Sequence, residues 1–172
     1  MDAFIWSKFI INVLYSRQIQ ISNTKLQKIL YLIYIDIFRK YQKEIFKDPF
    51  AAWKLGPVIK KIYAKYATYG PILIPKQEIS GKEMAELRRH FSTAEFKNIK
   101  NEIVILGKYS TWNLVSVTQR SFAWQNTYSN GTGKGKNINR EAIMNDTFRI
   151  WKDCGDELLI CEKSSVVVNW LK

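Results

Sequence analysis

Histidine and cysteine are scarce in this chain. Its 172 residues include one histidine, His90, and two cysteines, Cys154 and Cys161. Nucleophilic serine and cysteine side chains are usually activated by a positioned imidazole, and structural zinc usually takes four ligands drawn from cysteine and histidine. The sequence therefore predicts neither a catalytic residue nor a metal site, and His90 is expected to be structural or exposed. A chain of this size does not need a disulfide, so the cysteines are interpreted as reduced thiols of a cytoplasmic protein.

Long apolar runs are also missing. No stretch reaches the roughly 18 apolar residues that span a bilayer, and the most apolar segment, residues 26–38, is interrupted by Gln27, Lys28 and Asp36. Residues 1–15 contain an acidic residue at position 2 and neither a basic segment nor a small-residue cleavage site, unlike a signal peptide. These absences predict a cytoplasmic protein without a membrane partner.

A phosphate-binding loop is absent as well. The segment GTGKGK (residues 131–136) looks superficially like one, but a P-loop needs glycine five positions before its Gly-Lys pair and serine or threonine after the lysine. The earlier positions hold Tyr128 and Asn130, and Gly135 and Asn137 follow the two lysines. Carboxylates are few and form no acid–base pair. We therefore predict that the protein binds no cofactor and is not an enzyme.

Apolar residues, in contrast, are abundant. The chain is 47% hydrophobic and 14% aromatic, which is enough for a substantial core. No internal repeat and no linker rich in proline, serine or glycine divides it, so residues 1–172 are predicted to form a single domain. The predicted fold class is mainly α, a compact domain of about six to seven helices. Its small β element is expected to be a C-terminal hairpin formed by residues 158–161 and 166–170.

Apolar periodicity and capping patterns place the first three helices. Spacings of three and four predict a helix over residues 3–15. TKLQ (residues 24–27) has the form of a capping box and predicts the start of a second, longer helix, whose lysines fall mostly off the apolar face. Gly56 followed by Pro57 predicts a third helix that begins at Pro57, ends near Tyr69 and has a lysine-rich solvated face.

The second half of the chain contains further helix signals. Two S-x-x-E patterns, beginning at Ser80 and Ser92, predict a short and a longer helix. A weaker helix is predicted over residues 110–128, because threonine, valine and serine are mediocre helix formers. The glycine-rich residues 129–137 are expected to be a surface excursion, and a helix that is capped by Asn139 and reaches Cys154 follows them.

The net charge of +12 favours a second interpretation, because clustered lysine and arginine bind phosphates by releasing counterions. The basic excess is nevertheless broad, at 4, 6 and 2 charges in residues 1–50, 51–110 and 111–172. Aromatic residues with basic neighbours can stack bases, although at helical spacing they are more often part of the core. These residues are Trp53, Lys54, Tyr63, Lys65 and Tyr66.

Two segments are not explained by folding requirements alone. They are KLQKILY (residues 25–31) and AWKLGPV (residues 52–58), the second followed by Tyr63, Tyr69 and Gly70. In order and content they resemble the Panacea, or SocA-like, antitoxin domain family. In that family a capped helix opening with KLQKLLY is followed by AWKYGPV and by a tyrosine-bearing helix that ends in YG.

A third segment, LVSVTQRSFAW (residues 114–124), is similar to a later part of the family pattern. In the family, LT is usually followed by histidine, and a tryptophan lies a few residues further on. Thr118 and Trp124 match, whereas Gln119 replaces the histidine. Leu55 stands where the family tends to have tyrosine. Glutamine can still donate and accept hydrogen bonds, but it cannot take over a protonation role.

The resemblance spans about residues 8–150 and leaves residues 156–172 as a C-terminal extension. It implies a mainly helical antitoxin that neutralises a cognate toxin by direct contact, some members delivering the toxin to a protease. The alternative is a basic nucleic-acid-binding or regulatory module associated with a phage or mobile element. The candidate partner-binding residues, most of which could instead only build the fold, are Trp53, Lys54, Pro57, Tyr63, Thr118, Gln119 and Trp124.

Overall fold

The computed structural model describes residues 2–70 and 73–146. Within these ranges the chain forms eight α-helices and one two-stranded sheet, which confirms the mainly α fold and exceeds the expected helix number by one. The helices are α1 (Ala3–Tyr15), α2 (Asn23–Tyr41), α3 (Lys60–Tyr66), α4 (Gly81–Arg89), α5 (Thr93–Lys108), α6 (Thr111–Thr118), α7 (Phe122–Tyr128) and α8 (Arg140–Met144). The strands are β1 (Ala51–Trp53) and β2 (Gly56–Val58).

Helix α2 lies at the centre of the molecule. Residues 26–37 are all buried, because α1, α3, α5, α6, α8 and β2 pack around this helix. A helix covered on every side has no solvated face, which explains why this segment is the most apolar of the chain. The expectation that its lysines lie off the apolar face therefore fails at Lys28, which is fully buried, and Asp36 is buried too.

Helix α2 begins two residues earlier than the capping box predicts. The cap is Ser22, whose side chain accepts a hydrogen bond from Lys25 N at 3.3 Å. The predicted cap at Thr24 is wrong, since Thr24 lies within the first turn of the helix. The Gln27 amide does not complete a capping box because it binds the backbone N–H of Ile59 instead.

Residues 51–58 form a β-hairpin and do not begin a helix. The prediction that a helix begins at Pro57 is therefore wrong, and α3 begins at Lys60 before passing into a 3₁₀ turn at Ala67–Tyr69. Gly56 has a φ of 95°, a left-handed backbone conformation that glycine adopts without steric cost. An α-helix requires a negative φ, so no helix can run through this residue. The antiparallel pairs are Ala51 with Val58, Ala52 with Pro57, and Trp53 with Gly56.

The glycine-rich segment at residues 129–137 lies mostly at the surface, as predicted, and its backbone pairs with this hairpin. Ala52 N donates to Lys136 O at 2.9 Å, and Ala52 O accepts from Gly135 N at 2.7 Å. The segment thus pairs with the edge of β1 that β2 does not cover. Covering this edge satisfies backbone groups that would otherwise be open to pairing with another chain.

Serine residues cap four helices in the second half of the chain. Ser80 and Ser92 form both of the predicted capping boxes, at the starts of α4 and α5. Ser110 caps α6 and Ser121 caps α7. The single helix predicted over residues 110–128 is therefore two helices, because Ser121 provides a second N-cap within it.

The C-terminal predictions lie largely outside the described residues. Asn139 caps α8 as predicted. The continuation of this helix to Cys154 and the hairpin at residues 158–161 and 166–170 both fall beyond residue 146, where the described part ends. Among the described helices, none is both long enough and apolar enough to cross a bilayer.

A cluster of the exposed Lys40 ammonium and two largely buried carboxylates joins α2 to α5. Lys40 Nζ lies 2.8 Å from Asp36 Oδ2 and 2.6 Å from Glu102 Oε1. Burial of the Glu102 carboxyl, together with the negative charge of Asp36, raises the pKa of Glu102 well above its usual range. Glu102 consequently holds its proton more tightly in the folded chain than in the unfolded chain.

The substitution Glu102→Gln is expected to flatten the pH dependence of stability. Because the pKa is raised in the folded state, the folded chain binds more protons, and the free energy of unfolding falls as the pH rises above the usual glutamate pKa of about 4.3. Urea unfolding at a series of pH values measures this fall. The variant should lose less stability than the native protein, whereas the exposed control Glu78→Gln should follow the native curve. Equal pH slopes for Glu102→Gln and the native protein would contradict this assignment.

Candidate partner-binding site

The three motif segments of the sequence meet at one place, the β1–β2 hairpin. KLQKILY lies in the first half of α2, AWKLGPV forms the hairpin, and LVSVTQRSFAW covers most of α6 and the start of α7. Strand β2 packs against α2 and α6, and strand β1 packs against α7. Segments that are far apart in the sequence therefore build one structural unit.

Two polar side chains of α2 hold the second strand of the hairpin. Lys28 Nζ donates to Pro57 O at 2.9 Å, and Gln27 Oε1 accepts from Ile59 N at 2.9 Å. Gln27 Nε2 donates in turn to Asn23 Oδ1 at 3.2 Å. Gln27 and Lys28 are fully buried, so these hydrogen bonds form away from water, where an unsatisfied polar group is most costly.

Two side chains of the third segment hold the first strand and the turn. Gln119 Nε2 donates to Lys54 O at 3.0 Å, and Trp124 Nε1 donates to Trp53 O at 3.1 Å. Gln119 stands where the Panacea pattern usually has histidine, and its amide supplies an N–H donor as a neutral imidazole does. Gln119 thus ties the end of α6 to the hairpin turn through this hydrogen bond.

The hairpin approaches its neighbours most closely at Gly56. A Cβ atom at this position would lie 2.7 Å from Thr118 Oγ1 and 3.0 Å from Lys28 Nζ. Thr118 is itself buried, and its hydroxyl donates to Val115 O at 2.9 Å. Glycine is thus required at position 56 for two reasons, the positive φ and the lack of space between α2 and α6.

Lys28 is the most perturbed cation of this region. Burial lowers the pKa of its ammonium to about 7. Within residues 2–70 and 73–146, its polar contact is the Pro57 carbonyl, and no carboxylate pairs with it. A buried ammonium without a counter-ion is costly to fold around. Groups perturbed in this way, beside a cavity, are candidates for function.

A cavity of about 160 Å³ lies between α2, the hairpin and α3. Three lysines and two aromatic rings contribute to its walls, and none of the described residues that line it is acidic. The potential inside the cavity is therefore positive. The lining residues are Thr24, Gln27, Lys28, Trp53, Lys54, Leu55, Val58, Tyr63 and Lys134.

Four lining residues of the hairpin and α3 reach the surface and form what we name the hairpin patch: Trp53, Lys54, Leu55 and Tyr63. Lys54 is exposed, and Leu55 is 38% exposed at the hairpin turn. The rings of Trp53 and Tyr63 pack edge to face with centroids 4.7 Å apart, which stiffens the base of the patch. Tyr66, in contrast, is buried in the core, so the predicted base-stacking set is not assembled at the surface.

The seven candidate residues predicted from the sequence divide into two groups. Those that line the cavity and reach the surface are Trp53, Lys54 and Tyr63. Those that are buried or half-buried and build or hold the hairpin are Pro57, Thr118, Gln119 and Trp124. All seven lie on or directly against the hairpin, and their role in binding a partner stays a prediction.

Of the nine residues that line the cavity, six are absent from the predicted set, and three of these six carry an amide or ammonium group: Gln27, Lys28 and Lys134. The first two are polar residues inside the most apolar helix of the chain, and this anomaly is the signal that marks them. Lys134 has no local signal, because it reaches the cavity only through the packing of the glycine-rich segment against β1.

The residues considered for other chemistry lie apart from this site. His90 is exposed at the C-terminal end of α4. Cys154 and Cys161 lie outside the described residues. In the part of the chain that the structure describes, no group of three or more His, Cys, Asp or Glu side chains could hold a metal ion.

Comparison with known proteins assigns the family. The family model described as antitoxin SocA-like, Panacea domain matches residues 26–125, a range that includes the hairpin and nearly all of the other two motif segments. Antitoxin SocA of Caulobacter vibrioides (strain NA1000 / CB15N) is 24% identical over 159 residues, covering 88% of this chain and 85% of that protein. No solved structure matches the chain. The chain belongs to the antitoxin SocA-like, Panacea domain family.

Proposed function

We propose that this protein is the antitoxin of a toxin–antitoxin pair and that it neutralises its cognate toxin by direct binding through the hairpin patch. One observation carries this proposal: all three family segments converge on a hairpin whose turn carries the exposed Lys54 and Leu55. Hydrogen bonds from Gln27, Lys28, Gln119 and Trp124 hold the hairpin in place. A preorganised surface loses less conformational entropy on binding.

The composition of the patch favours a protein partner. Tryptophan and tyrosine side chains are typical anchors of protein–protein interfaces, and the exposed Leu55 adds apolar surface beside them. The basic charge of the chain would speed association with an acidic toxin. Base stacking is less well supported, because Trp53 and Tyr63 pack against each other and Tyr66 is buried.

Substitutions in the patch test this function. A neighbouring small gene should arrest growth when expressed alone, and co-expression of this chain should restore growth. Lys54→Glu and Leu55→Asp change exposed side chains, so both variants should fold, yet each should weaken toxin binding about tenfold or more in calorimetry. The matched control Lys97→Glu makes the same charge change at an exposed position of α5 and should rescue like the native chain.

The possible results separate the alternatives. Native-like rescue by both patch variants would show that the toxin binds a surface other than the hairpin patch. Failure of the native chain to rescue growth from any adjacent toxin would count against the antitoxin function. Toxin half-life with and without this chain distinguishes simple blocking from delivery to a protease. Tight binding to duplex DNA with a steep salt dependence would favour the nucleic-acid alternative.

A further inference from the structure

The cavity beside Lys28 has the charge of an anion-binding site. Lys28 contributes to its inner wall, and the exposed Lys54 and Lys134 stand at its outer side. No described acidic residue lines the cavity to balance these three cations. We refer to it as the Lys28 cavity.

The size and the walls of the Lys28 cavity narrow the choice of anion. A water molecule takes up about 30 Å³, so about 160 Å³ holds roughly five waters or one aspartate or glutamate side chain, but not a nucleotide. Trp53, Tyr63 and Val58 supply apolar surface against which the methylene groups of such a side chain can pack. The cavity thus suits a carboxylate on a short aliphatic stem.

We propose that the Lys28 cavity receives one carboxylate side chain of the toxin, which pairs with the Lys28 ammonium when the toxin docks on the hairpin patch. This inference rests on the antitoxin function proposed above. An ammonium has three donors, and one of those of Lys28 is used by Pro57 O, so a carboxylate can accept another. Because Lys28 is closed off from solvent in the free protein, pairing requires rotation about the terminal bonds of its flexible side chain.

The electrostatics of the free protein agree with this assignment. The pKa of Lys28 is lowered to about 7 by burial, and the other titratable groups that face the cavity, Lys54, Tyr63 and Lys134, provide no negative counter-ion near neutral pH. A carboxylate within the cavity would favour the charged ammonium and raise the pKa of Lys28. Partner binding would thereby offset the cost of burying this lysine.

A titration of the free protein tests the site without the toxin. Lysine is labelled with carbon-13 at Cε, the Lys28 signal is assigned with Lys28→Met, and its pKa is measured by NMR in propionate, in phosphate and in chloride at equal ionic strength. Propionate should raise the pKa of Lys28, and chloride should not. An unchanged pKa in propionate would overturn the proposal. A larger rise in phosphate than in propionate would overturn it as well, in favour of a phosphate site.

Binding measurements with the toxin of the adjacent gene test the pairing itself. Lys28→Met should reduce toxin affinity by about 30-fold or more, the usual effect of removing one partner of a buried charge pair. Lys25→Met is the matched control, because Lys25 lies one turn away on α2 and also donates to a backbone carbonyl, Gly107 O at 2.5 Å. This control should bind the toxin as the native chain does.

Substitution of each aspartate and glutamate of the toxin by its amide, one at a time, then identifies the carboxylate that pairs with Lys28. One Asp→Asn or Glu→Gln change should weaken binding to the native antitoxin and have no further effect on Lys28→Met. Native-like toxin affinity of a folded Lys28→Met, or a scan without such a coupled carboxylate, would overturn the proposal. If the native chain binds no toxin, the antitoxin function itself fails, and the propionate titration still decides independently whether the cavity accepts a carboxylate.

Discussion

Alanine at position 56 is expected to destabilise the protein by about 2–5 kcal/mol. The φ of 95° at Gly56 lies in the left-handed region, where a residue with a Cβ atom lowers the stability of the fold by about 1–2 kcal/mol. That Cβ would also lie 2.7 Å from Thr118 Oγ1 and 3.0 Å from Lys28 Nζ, and forced overpacking costs roughly 1–3 kcal/mol more. Urea unfolding of Gly56→Ala measures the sum.

The control for this prediction is Gly135→Ala, which separates the two causes. Gly135 has a φ of 82°, close to that of Gly56, but an added Cβ would meet no atom within 4 Å. The control should therefore lose only the backbone contribution of about 1–2 kcal/mol. Equal losses for the two variants would show that α2 and α6 yield easily around the hairpin, contrary to the packing described above.

The second large effect is expected at Ser121, where alanine should cost about 2–4 kcal/mol. The buried Ser121 hydroxyl donates to Asp146 Oδ2 at 2.6 Å, lies 2.5 Å from the Tyr31 hydroxyl and accepts from Trp124 N at 3.1 Å. Ser121→Ala removes an N-cap worth about 1 kcal/mol. It also removes the hydrogen-bond partner of the buried Tyr31 phenol, a loss of roughly 1–3 kcal/mol.

Ser110→Ala is the matched control, since Ser110 caps α6 with a hydrogen bond from Asn113 N at 3.1 Å but is exposed. It should lose only about 1 kcal/mol. The double variant Ser121→Ala with Tyr31→Phe should lose less stability than the sum of the losses of the two single variants. The reason is that phenylalanine lacks the hydroxyl that Ser121→Ala leaves without its hydrogen-bond partner. Losses of equal size for Ser121→Ala and Ser110→Ala would refute the buried network.

Much of the helical fold could be predicted, and the hairpin could not. The apolar spacing over residues 3–15 and the capping boxes at Ser80 and Ser92 act within one or two turns, so α1, α4 and α5 follow from local rules. The Gly56–Pro57 pair fits both a helix start and a strand. The strand conformation is held by hydrogen bonds to Gln27 and Lys28, about thirty positions earlier in the chain. The spacing of apolar residues along the sequence cannot predict hydrogen bonds between such distant positions.

The candidate site shows the same division. The motif segments indicate a single region, since all seven candidate residues lie on or against the hairpin. They did not indicate which side chains face the cavity, because burial depends on which elements cover α2 and not on the spacing within it. For this reason the apolar spacing puts Lys28 among the lysines off the apolar face of α2, although it is fully buried.

The sequence alone predicts the mainly α class and the helix caps at Ser80, Ser92 and Asn139, because these features depend on residues close together in the chain. The resemblance to the Panacea family is also visible in the sequence, since each of its three segments can be compared separately. The tertiary structure alone decided that Pro57 lies in a strand, that residues 135–137 pair with β1 and that Lys28 is buried beside a cavity lined by lysines. These features arise from contacts between distant segments, and such contacts form only when the core around α2 closes.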